Sequence, residues 1–225
     1  MIIQWFGHSC FKIQAKIRDR ELTVVTDPYD SSAGLKLPKI HANIVTSSHD
    51  NPSHNNIAAI AGVDDQQVFA ITSPGEYEKS GIFIRGILSY CDKLNGEQLG
   101  VNTIYRIDLE NLSVVHLGSL GHILTTEQLE LINGVDILLI PVGCVDTINI
   151  EEVSEVIAQI EPKIVIPMHY RTGGETHGVK TGLESVDKFL HSMGMKDADK
   201  LPKFKISVKD LEFGGSRKII VLDKS

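Results

Sequence analysis

Short, β-branched runs in which apolar and polar residues alternate dominate the first half of the chain. Residues 2–6, 10–13 and 22–25 read as strands, and Ile44–Thr46 as a short buried one. Residues 68–71, 82–84, 86–90, 103–107 and 114–117 continue the pattern, with turns such as Ser80-Gly81 and Glu110-Asn111 between them. Beyond residue 124 the period changes. Residues 125–132 predict a helix, with Thr125 as N-cap, Gln128 as its capping-box partner and Gly134 after its end. Residues 135–141 form an apolar strand, and Ile150–Ile160 sets Val153, Val156, Ile157 and Ile160 on one helical face. A buried strand at 163–167 runs directly into Met168-His169-Tyr170. Residues 183–193 read as a helix, and 206–208 and 218–222 as closing strands. The Gly- and Thr-rich stretch 171–181 reads as a mobile loop. A β-rich half followed by βαβ units predicts one α/β (α+β) domain over residues 1–225, with two sheets face to face and helices outside.

Composition narrows the function. With 225 residues, 42% of them hydrophobic, the chain can bury a sizeable core. A net charge of −7, without a basic stripe, argues against non-specific nucleic-acid binding. No apolar run is long enough to span a membrane, and Met1–His8 lacks the regions of a signal peptide. Cys10, Cys91 and Cys144 are too few for a disulfide framework, so a reducing cytoplasm is the simplest home.

Candidate ligands recur just past strand ends. His49 and His54 follow Ile44–Thr46; Cys91 and Asp92 follow Tyr90; His116, Ser119 and His122 surround the end of another strand; His169 follows the strand at 163–167. Strands fix the backbone there, and loops leave an open face for water and substrate.

Several motifs recur in a fixed order. They are Trp5-Phe6-Gly7-His8-Ser9-Cys10-Phe11, Thr26-Asp27-Pro28, Ser48-His49-Asp50-Asn51-Pro52-Ser53-His54, Ser73-Pro74-Gly75-Glu76, Ile140-Pro141-Val142-Gly143 and Ile166-Pro167-Met168-His169-Tyr170. In this order and spacing the chain resembles the metallo-β-lactamase fold superfamily, in particular short bacterial and archaeal members related to ascorbate-6-phosphate lactonases. The resemblance covers nearly the whole chain and implies a four-layer αββα sandwich. It also implies hydrolysis of an ester, lactone or phosphodiester by a metal-activated water.

The family's usual seven ligands map residue by residue. The His-x-His-x-Asp-His loop falls on His49, Asn51, Ser53 and His54; the next histidine falls on Cys91, the bridging aspartate on Ser119 and the last histidine on His169. Neutral Asn51, Ser53 and Ser119 at three positions leave a dinuclear charge poorly compensated. The resemblance therefore implies at most a mononuclear site drawn from His49, His54, Cys91 and His169, holding one zinc (or manganese or iron), or none. His8, Asp27, Asp50, Asp92 and His116 are expected around it: His8 at the pocket border, Asp27 orienting a ligand histidine, Asp50 or Asp92 as substitute donors, and His116 supporting the loop that carries Ser119. Two readings stand side by side. One is a hydrolase of a small-molecule substrate; the other is a non-catalytic relative that keeps the fold as a metal-free ligand-binding or interaction module. The sequence carries no signal for substrate identity or oligomeric state.

Overall fold

Ile2–Gly7, Cys10–Ile17 and Arg20–Thr26 pair antiparallel as a meander, because each alternates its side chains between two apolar faces. The computed structural model describes residues 1–173, 182–212 and 217–225. Ile44–Thr46 and Phe69–Ile71 extend the meander in parallel, and Phe204–Lys205 closes its other edge, making a six-stranded sheet. A seven-stranded sheet runs Lys218–Ile219, Ile164–Met168, Ile137–Pro141, Leu112–His116, Val101–Leu109, Ile82–Tyr90, Gly75–Lys79. Its first four strands are parallel and the rest antiparallel.

The two sheets share one core. From the first sheet Ile3, Trp5, Phe11, Ile13, Val24 and Ile44 join Ile84, Ile104, Ile107, Val114 and Leu138 of the second. The alternate positions Phe6, Cys10, Val25 and Val45 point the other way, into a separate cluster with Tyr29, Leu35, Ile40 and Ile60. Every residue of Ile137–Pro141 and Ile164–Met168 is buried, as parallel strands covered on both faces require. Over the second sheet, Ile150–Ile160 presents Val153, Val156 and Ile157 to the core, the face its sequence spacing predicts. Thr125 and Gln128 form the expected capping box, and Asn149 with Glu152 forms another. The layered α/β sandwich expected from the sequence is the architecture observed.

Several strands run longer than their sequence patterns, as in Cys10–Ile17 and Val101–Leu109, and four other differences stand out. Gly86 does not break its strand, which runs unbroken over Ile82–Tyr90. The third helix is Val186–Ser192, because residue 184 is held in extended pairing by Glu184 N–H to Gly143 O and Arg171 N–H to Glu184 O. The strand expected at 206–208 gives way to a short helix, Val208–Glu212; the Asp210 carboxylate accepts from both the amide and hydroxyl of Ser207 and closes that turn. The final strand splits, Lys218–Ile219 pairing with the second sheet and Val221–Leu222 with Lys200–Leu201. The loop expected at 171–181 lies, from residue 174 on, outside the described residues. No helix among the described residues is long and apolar enough to cross a membrane.

Candidate metal centre

Strand ends from both sheets meet at one edge of the sandwich. His8 follows Ile2–Gly7; His49, Asn51, Ser53 and His54 follow Ile44–Thr46; Cys91 follows Ile82–Tyr90; Ser119 follows Leu112–His116; His169 follows Ile164–Met168. All of them line one cleft of about 390 Å³, together with Asp50. Backbone bonds fasten the two sheets beneath it: His169 N–H to His8 O at 2.9 Å and Thr103 N–H to Ser48 O at 2.7 Å. Ring centroids lie 4.2 Å apart for His49 and His54, 4.7 Å for His8 and His169, 5.6 Å for His54 and His169, and 5.8 Å for His8 and His54.

Three of these histidines form the tightest group. One ring nitrogen from each of His8, His54 and His169 lies within 4.8 Å of the other two. The sequence places His8 only at the border of the pocket. Its signal was the Gly7-His8 pair, since both residues adopt positive φ (99° and 50°) and so turn the chain sharply at the strand end. His169 also has positive φ, 54°. Burial holds the His54 and His169 imidazoles well below the usual histidine range, with the neighbouring imidazoles adding to the effect. Both are therefore neutral at physiological pH, the form that binds metal. Nδ1 of His169 is buried and has no hydrogen-bond partner among the described residues.

Proton bookkeeping fixes the state of His54. The Ser53 hydroxyl lies 2.8 Å from Asn51 Oδ1 and 2.8 Å from His54 Nδ1. Its single proton goes to the amide oxygen, which can only accept, so His54 Nδ1 is the donor to Ser53. Nε2 of His54 then carries the lone pair, facing the hydroxyls of Ser9 and Ser119 at 3.3 Å each. Asn51 and Ser53 thus satisfy one another; Asn51 Oδ1 also accepts the Ser53 amide at 3.0 Å. Ser119 is tied back through its own amide to Asn102 Oδ1 at 2.9 Å.

The remaining sequence-derived residues take distinct places. Cys91 lines the cleft but is a protonated thiol, its pKa pushed up to about 12 by burial and by the Asp92 and Asp27 carboxylates; its Sγ lies 3.7 Å from Val101 O. Asp92 does not line the cleft. Its carboxylate accepts the amides of Leu99, Leu94, Gly96 and Gln98, which hold it below the usual range. Asp50 sits at the rim and accepts from Asn55. Asp27 is fully buried and accepts the amide and hydroxyl of Ser48 at 2.7 and 2.6 Å. Burial pushes its pKa up to about 7. The Ser48 hydroxyl, its proton given to Asp27, accepts from His49 Nδ1 at 3.2 Å, so Asp27 orients His49 through one intervening hydroxyl. His116 donates Nε2–H to Ser9 O at 2.8 Å and accepts the Gly118 amide on Nδ1 at 3.2 Å; burial takes its pKa down to about 4. It is a neutral strut under the loop that carries Ser119. His122 does the same for Tyr90, accepting its amide on Nε2.

Two metals do not fit this donor set, because Asn51, Ser53 and Ser119 bring no charge to a pair of divalent ions. One metal does fit. Three imidazoles, those of His54 and His169 neutral, make a three-ligand set of the kind that leaves a fourth position open. A family model described as a beta-lactamase superfamily domain matches residues 2–169, so the match ends on the last histidine of the group. The chain belongs to the metallo-β-lactamase superfamily. A protein of that superfamily from Thermotoga maritima, assigned as a Zn-dependent hydrolase, superposes with a TM-score of 0.73 at 32% identity, covering 98% of this chain and 97% of its own. A UPF0173 metal-dependent hydrolase from Nanoarchaeum equitans is 28% identical over 192 residues, 76% of this chain and 85% of its own length. A UPF0173 protein from Pyrococcus abyssi is 25% identical over 198 residues, 82% of this chain and 91% of its own. In this superfamily member the candidate donors sit just past strand ends and line one cleft.

Proposed function

We propose that this chain is a hydrolase working with a single divalent metal, held by His8, His54 and His169. The observation that carries this reading is the convergence of three buried imidazoles, their ring nitrogens within 4.8 Å of one another, in the lining of one cleft. Ligands around tetrahedral zinc sit about 3.3 Å apart, so small side-chain rotations close the set. A metal bound there would supply Lewis-acid polarisation of an ester, lactone or phosphodiester and activation of water. The protein's own residues do the positioning. Ser53 fixes the tautomer of His54 so that Nε2 is the ligand atom. Asp27 and Ser48 hold the His49 ring beside His54. His49 and Cys91 complete the cleft wall, outside the three-histidine group.

Metal analysis of protein purified without chelator tests this. The expected content is about one equivalent of zinc, manganese or iron, with ester hydrolysis that a chelator removes and added metal restores. One feature favours the second reading, a metal-free binding module: the Asn51–Ser53–His54 network is already satisfied without an ion. Content below about a tenth of an equivalent would decide for that module.

A further inference from the structure

Besides the histidines, the cleft lining includes the apolar side chains Ala33, Pro52, Leu99, Val145 and Leu183. Leu99 is held there by an unusual device. It closes the loop at residues 92–99, whose backbone is tied down by four amides donating to the one Asp92 carboxylate, Leu99 N–H at 2.7 Å among them. The loop leaves Leu99 45% exposed and Leu94 48% exposed. A rigid loop that holds leucines against water, one at a cleft mouth, is built to present them. Charge points the same way. Among the described residues, the charged side chains lining the cleft are Asp50 and Asp146, and no lysine or arginine lines it. Sites for phosphoryl groups meet that charge with arginine, lysine or several metals, and no arginine or lysine among the described lining residues supplies it.

Building on the single-metal hydrolase reading, we infer that the substrate is an uncharged carboxylic ester or lactone whose apolar acyl group lies along Leu99, Val145 and Leu183. In the reaction, water oxygen bonds to the acyl carbon and the acyl C–O bond breaks. The proton from water passes to the departing alcohol oxygen, giving a carboxylic acid and an alcohol with no change of oxidation state.

Two measurements test this. On metal-loaded protein, kcat/KM for p-nitrophenyl esters rises roughly threefold per added methylene from acetate to hexanoate. Leu99→Asp lowers the hexanoate value about tenfold, and Leu99→Met restores it. A flat chain-length series, or faster cleavage of bis(p-nitrophenyl) phosphate than of the hexanoate, overturns the inference. Calorimetry on metal-free protein supplies the independent arm: hexanamide binds at least tenfold tighter than acetamide and tighter than hexyl phosphate, and the reverse order overturns it. Hexanamide binding without any ester turnover would sink the hydrolase reading and support the inferred ligand class. Phosphodiester turnover without hexanamide binding would do the opposite.

Discussion

The His169 amide donates to the His8 carbonyl across 2.9 Å and so ties together the ends of two strands from different sheets. Trp5 Nε1 donates to the same carbonyl at 2.9 Å, and the Trp5 ring packs on Tyr170 with centroids 4.7 Å apart. Both histidines hold left-handed backbone, a conformation that costs on the order of 1–3 kcal/mol each and persists where surroundings enforce it. Two of the three residues whose imidazoles meet thus carry this conformation; His54 does not.

The single-metal reading therefore predicts that removing the His8 imidazole is felt in metal content. His8→Asn keeps a residue that tolerates positive φ and should leave the fold intact. Metal affinity should fall at least tenfold to a hundredfold, as in His54→Ala and His169→Ala, while His49→Ala retains its equivalent. Equilibrium dialysis with zinc, and the visible spectrum of the cobalt-substituted protein, check this.

Placing charged and imidazole donors at three cleft positions should change stoichiometry. The combined Asn51→His, Ser53→Asp, Ser119→Asp protein should rise from about one metal equivalent to about two, because two carboxylates then offset the second ion's charge. Plasma mass spectrometry after dialysis reads the result. An unchanged content would show that these positions do not face a metal.

The buried titrating groups oppose one another in acid. Asp27 has its pKa raised from 3.8 to about 7, so the folded state holds a proton the unfolded chain releases; its contribution is complete below pH 4 and is lost as pH rises through 7. His116, lowered from 6.5 to about 4, works in the other direction, as do His54 and His169: their contribution is present above pH 6.5 and is lost as pH falls. Asp27→Asn should remove the opposing member and steepen the rise of stability between pH 4 and 7 by up to about 1.4 kcal/mol per pH unit. Urea unfolding of metal-free protein at stepped pH measures the slope.

Gly143 lies where a side chain would strike the site from beneath. A Cβ there would sit 2.0 Å from the His169 carbonyl oxygen and 2.7 Å from Leu183 Cδ2. Gly143→Ala should displace the His169 backbone, lower stability by about 1–3 kcal/mol and weaken metal binding at least tenfold. Thermal unfolding and zinc titration separate the two effects.

Much of this was legible in the sequence, and for local reasons. Period-2 and period-3.6 patterns marked the strands and helices, and Thr125 with Gln128 announced its helix start. The strand-end positions of His49, His54, Cys91, Ser119 and His169 placed one cleft at one edge. Two things were not legible. Asp92 looks like a spare ligand in the sequence, yet its carboxylate is consumed by four backbone amides of the loop that follows, a geometry no residue pattern reveals. The grouping of His8 with His54 and His169 depends on a long-range backbone bond between sheets, 161 residues apart in sequence (169 − 8). The closing segment was misread because Ser207 and Asp210 favour a turn that its apolar alternation hides.

The pairing of Asn51 with Ser53 bears on how this cleft can be rebuilt. Ser53→Asp alone would set a carboxylate against the amide oxygen that now accepts the Ser53 hydroxyl; Asn51→His alone would strip that hydroxyl and its amide of their acceptor. Each single substitution thus leaves a polar group repelled or stranded. The two side chains behave as one unit of design, and any rewiring of the cleft has to exchange them together.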